Sequence, residues 1–172
     1  MSNEEKVLEK NIEVAYVEIQ ELVAAFRLLP SDCRIERPDR LLLVGELSPE
    51  VSRALGVPRT VLVSLRSLKH IVERRGEDAM EIVQDIPKIL SHPTKVVDNS
   101  TNRPSSYLFV RMNGKAKAVV LEITKTPDGN RVVSAFFVDA KTYKKLKDIS
   151  GRSDVPPLDV SPVESISTAQ KL

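Results

Sequence analysis

Tryptophan is absent from this chain, and aromatic residues amount to four phenylalanines and three tyrosines. A platform that stacks single-stranded bases uses several exposed rings, so that mode of nucleic-acid binding is not expected. The one cysteine, Cys33, excludes an intramolecular disulfide and any multi-cysteine zinc site. With only His70 and His92 besides, no protein-held transition metal is expected. Six glycines, and no GxxxxGKS pattern, leave no phosphate-cradling loop. GxSxG, HExxH and CxxC are missing too. No apolar run approaches the length of about 18 residues that a membrane span needs. The opening MSNEEKVLEK is charged and has no apolar signal core. The expected setting is reducing and cytoplasmic, with no membrane contact, metal or cofactor.

What is present is segregated charge. Residues 1–56 hold 7 Lys/Arg against 11 Asp/Glu, residues 57–152 hold 18 against 10, and residues 153–172 hold 1 against 3. The middle is therefore +8, between flanks of −4 and −2. Such segregation points to a polyanionic partner, nucleic acid above all; the plainer alternative is a solvated basic surface.

Residues 4–29 read as an N-terminal amphipathic helix. Leu8, Ile12, Ala15, Ile19, Leu22 and Phe26 recur at heptad spacing. With fewer than three heptads, the seam either docks on its own domain or contacts a second copy or another protein. Residues 30–40 read as loop, and 41–44 as a short buried strand. Ser48-Pro49 starts a helix that Gly56 ends. Residues 61–63 form a second short strand. Ser64 caps a helix ending at Gly76, and another runs from about Asp78, with a fresh turn at Pro87. After residue 94 the period changes to that of strands: 95–98, 107–112, 116–124 and 131–138. Asn113-Gly114 and Pro127-Asp128-Gly129-Asn130 join the last three as hairpins, which predicts a meander. Residues 140–149 read as a basic helix carrying Lys141, Lys144, Lys145 and Lys147.

The expected fold class is α+β, with helices followed by a four-stranded antiparallel sheet. The expected organisation is helix and loop over 1–40, the α+β domain over 41–150 and a polar tail over 151–172.

Cleavage of RNA suits a chain of these means. The substrate's own 2′-hydroxyl is the nucleophile, so the protein supplies only a base, an acid and cations for the phosphorane charge. His70, on a helix, titrates near neutral pH and suits proton transfer; the alternative is a structural histidine. His92, before Pro93, reads as loop structure. Arg111 and Lys117 flank the Asn113-Gly114 turn and suit a phosphate, or serve as edge-strand charge. Glu122, the one carboxylate in an apolar strand, either faces solvent or acts as a base. Ser134 interrupts Val132-Val133-Ser134-Ala135-Phe136 and either bonds locally or faces a site. With a two-residue Asp128-Gly129 turn, Ser134 falls opposite Ile123 and on the other face from Glu122; a bulge changes this.

The runs Val44-Gly45-Glu46-Leu47-Ser48, Leu55-Gly56-Val57, Val61-Leu62-Val63-Ser64 and Leu68-Lys69-His70-Ile71 lead the series. Asp85-Ile86-Pro87-Lys88-Ile89-Leu90-Ser91-His92-Pro93 and Arg131-Val132-Val133-Ser134-Ala135-Phe136 complete it. Together they resemble phage-encoded members of the barnase, EndoU, colicin and RelE-like nuclease superfamily, over residues 41–148. The resemblance implies a barnase/RelE-like fold and a metal-independent endoribonuclease, of toxin or prophage type. It implies a helix histidine, a basic strand residue and a late Ser or Thr, which His70, Arg111 or Lys117, and Ser134 match by position. Some relatives carry a further histidine where this helix has Arg74-Arg75.

The expected catalytic set is therefore His70, Lys117, Ser134 and Glu122, with Arg111 and Lys117 on phosphate. The alternatives are a non-catalytic module of the same fold that binds nucleic acid or protein, and a structural or assembly protein joined through residues 4–29.

Overall fold

The computed structural model describes residues 16–30, 33–124 and 128–150. Helix α1 covers residues 16–27. It buries Ile19, Val23 and Phe26, with Leu22 packed beside them. That is the i, i+4, i+7 stripe of a helix lying on a core, wider than a coiled-coil seam. The part of the heptad seam before residue 16 lies outside the described residues.

Strand β1 (Leu41–Glu46) and helix α2 (Pro49–Leu55) come next. Ser48 caps α2 by accepting from the Val51 amide, and Gly56 ends it in the left-handed region at φ 67°. Strand β2 (Thr60–Ser64) leads directly into α3 (Leu65–Arg75), where the Ser64 hydroxyl accepts from the Ser67 amide. A short turn of 3₁₀-helix, Gly76–Asp78, joins α3 to α4 (Ala79–Ser91). Pro87 lies inside α4 and does not break it, so the expected fresh turn there is a continuation of one helix. Strands β3 (Lys95–Asp98), β4 (Ser106–Asn113), β5 (Lys115–Glu122) and β6 (Asn130–Val138) follow, then the short helix α5 (Ala140–Lys145).

The sheet differs from the expected four-stranded antiparallel meander. It has six strands in the order β1-β2-β6-β5-β4-β3, and β2 runs parallel to β6. The sheet is therefore mixed, and helices do not simply precede it. The two short apolar runs at 41–44 and 61–63 are strands as expected, but they extend the meander instead of standing apart from it. They pair as an antiparallel couple. Asn130, fully buried, fastens that couple to β6. Its amide nitrogen donates to the Pro58 and Thr60 carbonyls at 2.8 and 3.2 Å, and its amide oxygen accepts from the Thr124 backbone at 3.1 Å.

Helices α1 to α4 cover one face of this sheet. The main core lies between them, with Leu68, Ile71, Ile82, Ile86 and Ile89 packed against Phe109, Val119, Leu121 and Val132. Gly45 lets α4 approach β1 closely, since a Cβ there would stand 3.3 Å from Pro87 Cα and from Leu90 Cδ1. On the opposite face Leu108, Val110, Ala116, Ala118 and Val138 form a smaller cluster under Tyr143 and Leu146. Lys95 Nζ ties this cover down by donating to the Tyr143 and Leu146 carbonyls at 2.8 and 3.0 Å. The cover sits over the Ala116–Val138 end of the strands, away from the end at Glu122 and Arg131.

Candidate active site on the sheet face

The five candidate residues do not form one site. His70 lies on the outer side of α3, exposed, and its side chain makes no hydrogen bond or ion pair with a described residue. The helix turns about 100° per residue, which places His70 opposite the buried stripe of Leu68, Ile71 and Val72. His92, the expected loop residue, caps the end of α4, with Nδ1 2.8 Å from the Ser91 hydroxyl.

Arg111 and Lys117 are directly paired across β4 and β5 and face α4. Both line a cleft of about 600 Å³ between α1, α4 and the β4–β5 hairpin. Arg111 Nη1 donates to the His92 carbonyl at 2.7 Å. Lys117, with its side chain only 13% exposed, bonds Asp85 and lies 3.2 Å from Glu81. Burial works against its charge, but Asp85 and Glu81 overcome that and raise its pKa above the usual lysine value. Its ammonium is thus already partnered. Tyr16, on α1, is pushed up by burial and by the charge of Asp85.

Glu122 and Ser134 fall on one face of the sheet, two ladder steps apart. The β5–β6 ladder pairs Val120 with Ser134, then slips by one residue so that Leu121 meets Val132 and Glu122 meets Arg131. Val133 is the extra residue, a β-bulge. Paired residues share a face, and alternate residues of one strand share it too. Ser134, Val120, Glu122 and Arg131 therefore lie on one side, the side away from α3 and α4. A simple two-residue turn would have separated Ser134 from Glu122, and the bulge reverses that.

Arginines surround these two residues. Arg103 Nε stands 3.3 Å from Glu122 Oε2, and Arg131 is the direct cross-strand neighbour of Glu122. Arg131 Nη1 donates to the Gly129 carbonyl at 2.7 Å, which fixes its guanidinium near the strand start. Arg75 arrives from the end of α3. Strand β2 pairs only with Asn130, Arg131 and Val132 of β6, so the edge of β6 beyond Val132 is open to it. There Arg75 Nε donates to the Ala135 carbonyl at 2.7 Å, and Nη2 lies 3.4 Å from Ser134 Oγ. The guanidinium also sits 5.3 Å from the Phe136 ring centre. Burial, and then the neighbouring charge of Arg74, lower the Arg75 pKa below the usual arginine value.

Among the described residues, the open end of this face thus presents the Glu122 carboxylate, the Ser134 hydroxyl and the guanidiniums of Arg75, Arg103 and Arg131, with the buried Ser106 hydroxyl paired across from Glu122. A carboxylate there accepts a proton, and guanidiniums stabilise a phosphorane by forked, charged hydrogen bonds. The three arginines were missed in the sequence. Arg103 and Arg131 carry no local signal, and their place depends on the bulge and on the loop before β4. Arg75 belongs to the Arg74-Arg75 pair in the last turn of α3, which reads first as the favourable basic charge of a helix C-terminus. Among the described residues, no group of three His, Cys, Asp or Glu side chains is placed to hold a metal ion, and no helix is long and apolar enough to cross a membrane. No protein-family model, no curated protein and no solved structure matches this chain.

Proposed function

We propose that this domain is a metal-independent endoribonuclease that works from the open end of the sheet face. The observation that carries the reading is the β6 bulge, which sets Ser134 on the face of Glu122 and within reach of Arg75. The Glu122 carboxylate takes the proton of the RNA 2′-hydroxyl. The 2′-oxygen attacks phosphorus, the bond to the 5′-oxygen breaks, and a 2′,3′-cyclic phosphate and a 5′-hydroxyl result. Arg75, Arg103 and Arg131 offset the charge that grows on the phosphoryl oxygens. Ser134 donates to one of those oxygens, and solvent returns a proton to the leaving 5′-oxygen. The basic excess of residues 57–152 draws the polyanion in.

The test is cleavage of total RNA by the purified chain in excess EDTA, with end-group analysis. A cyclic phosphate formed by the wild type and lost in Glu122→Gln supports the reading. Full cleavage by Glu122→Gln overturns it.

A second reading has one observation in its favour: neither His70 nor His92 reaches this face, so an imidazole acid is missing there. On that reading the face binds RNA without cutting it. Binding without cleavage, weakened in Arg131→Ala with a salt slope smaller by about one phosphate contact, identifies that case.

A further inference from the structure

The cleft between α1, α4 and the β4–β5 hairpin plays no part in that chemistry, because it opens on the other side of the sheet. Its volume, about 600 Å³, falls among small-molecule sites. One wall is apolar and aromatic, made by Tyr16 and Val17 of α1 with Pro87 and Ile89 of α4. The other wall is basic. Lys88, Arg111, Lys115 and Lys117 line it, and the carboxylates of Asp85 and Glu81 face Lys117. Among the described residues, four cations against two carboxylates leave an excess of two positive charges. Asp85 and Glu81 consume the charge of Lys117 first, so the cations left for a ligand are chiefly Lys88, Lys115 and Arg111. Lys115 touches Glu81 only loosely, at 3.9 Å with its side chain 67% exposed. Arg111 spends Nη1 on the His92 carbonyl and keeps its other nitrogens.

We infer that this cleft binds a phosphate monoester carried on a flat, largely apolar group, that is, a nucleoside monophosphate, free or at the 5′ end of an RNA strand. A phosphate monoester bears between about 1.5 and 2 negative charges at neutral pH, which matches the excess. A base-sized plate fits the wall of Tyr16, Val17 and Pro87, and the phosphate meets Lys88, Lys115 and Arg111. The match is of charge and shape together. A bare anion leaves the apolar wall uncovered, and an uncharged nucleoside leaves the cations unpaired. This inference is independent of cleavage on the sheet face, and either stands if the other fails.

The experiment is calorimetric titration of the full chain with adenosine 5′-monophosphate, adenosine and inorganic phosphate, at low salt. The expected result is binding of the monophosphate about tenfold or more tighter than either of the other two. The double variant Lys88→Gln with Lys115→Gln alters exposed side chains and should keep the melting temperature while abolishing that preference. A 5′-phosphorylated tetranucleotide beside its 5′-hydroxyl counterpart separates the sources. Binding of the phosphorylated strand as tight as that of the monophosphate assigns a strand end, and binding of the mononucleotide alone assigns a small molecule. Equal binding of adenosine and its monophosphate overturns the inference. So does phosphate binding as tightly as the nucleotide, an unaffected double variant, or no heat at millimolar ligand.

Discussion

In the cleft beside α4, one lysine is held by two carboxylates: Lys117 bonds Asp85 and Glu81 and is almost out of solvent. On the open end of the sheet face the ratio is inverted, and one carboxylate, Glu122, has Arg103 and Arg131 for neighbours, with Arg75 nearby on Ser134. Both regions are built from strand residues of alternating direction and residues of a helix, the body of α4 in the cleft and the end of α3 on the sheet face. The difference lies in which partner is in excess. A cation surrounded by carboxylates has its charge consumed and becomes part of the packing between hairpin and helix. A carboxylate surrounded by cations stays within reach of solvent, at 40% side-chain exposure, while its neighbours keep spare donors for an anion. The same basic composition thus yields a structural clamp in one place and a cation-rich surface around a single carboxylate in the other.

The sharpest way to break this comparison is to remove the proton acceptor. Glu122→Gln keeps the shape and should lower cleavage by about 10²- to 10⁴-fold, the usual worth of a positioned base. His70→Ala, on the outer side of α3, should leave the rate within about twofold, since a surface group remote from the reacting atoms makes no contact to lose. The two single variants, assayed side by side on one labelled RNA, decide which face does the chemistry. A large loss in His70→Ala would move the reaction from the sheet face to the surface of α3.

Stability provides the next contrast. Asn130 is fully buried and joins β6 to both the β2 side and the end of β5. Asn130→Ala leaves two carbonyls and one amide without their partner and should cost about 2–4 kcal/mol by urea unfolding. Because Asn130 precedes Arg131 at the site, cleavage should fall as well, even at temperatures where the variant stays folded. Lys117→Met is the milder case. It leaves Asp85 and Glu81 beside each other with the loose Lys115 contact to Glu81, at 3.9 Å, in place of a close cation, at a cost of about 1–2 kcal/mol once solvent screening of these half-exposed carboxylates is allowed for. Adding Asp85→Asn should recover part of that loss, and cleavage should not change, which separates the clamp from the proposed site.

These contrasts also mark what sequence alone conveys. Caps and strand periods are local chemistry, so Ser48, Gly56 and Ser64 announced helix ends, and the four late strands appeared within one or two residues of their positions. The β2–β6 parallel pairing is not local. It depends on Asn130 reaching back to Pro58 and Thr60 across some 70 residues, and an isolated Asn in a turn carries no trace of that. The bulge at Val133 was equally silent. It shifts the ladder by one residue, and a one-residue shift reverses which side chains share a face. Ser134 and Glu122 stood out as polar interruptions of apolar strands, and their chemistry was legible; their neighbourhood was not. A two-residue Asn113-Gly114 turn would set Arg111 opposite Ala116, whereas the ladder pairs Asn113 with Lys115 and so Arg111 with Lys117; nothing in the hairpin itself revealed that register, or that α4 would answer Lys117 with two acids.

The smallest effect concerns the covered end of the sheet face, where Tyr143 and Leu146 pack over the strands. Tyr143 lies in this cover, with Lys95 Nζ 4.1 Å from its ring centre. Burial, reinforced by the charge of Asp148, pushes its phenol up to about 12. In the unfolded chain the same group titrates at about 10. Between those two values the unfolded chain has released its proton while the folded chain keeps it, so rising pH favours unfolding across that window. The contribution is complete below about pH 10 and is lost as pH climbs towards 12. Absorbance of the phenolate at 295 nm should therefore show a component with a midpoint near 12 that disappears in Tyr143→Phe. The variant should also lose less stability than the wild type between pH 10 and 11, because it has no phenol to ionise. Asp148→Asn should bring the midpoint down, because the second cause of the shift is then gone. A wild-type midpoint at the ordinary value would mean that α5 stands away from the sheet, and the covered end would then be as open as the end that carries Glu122.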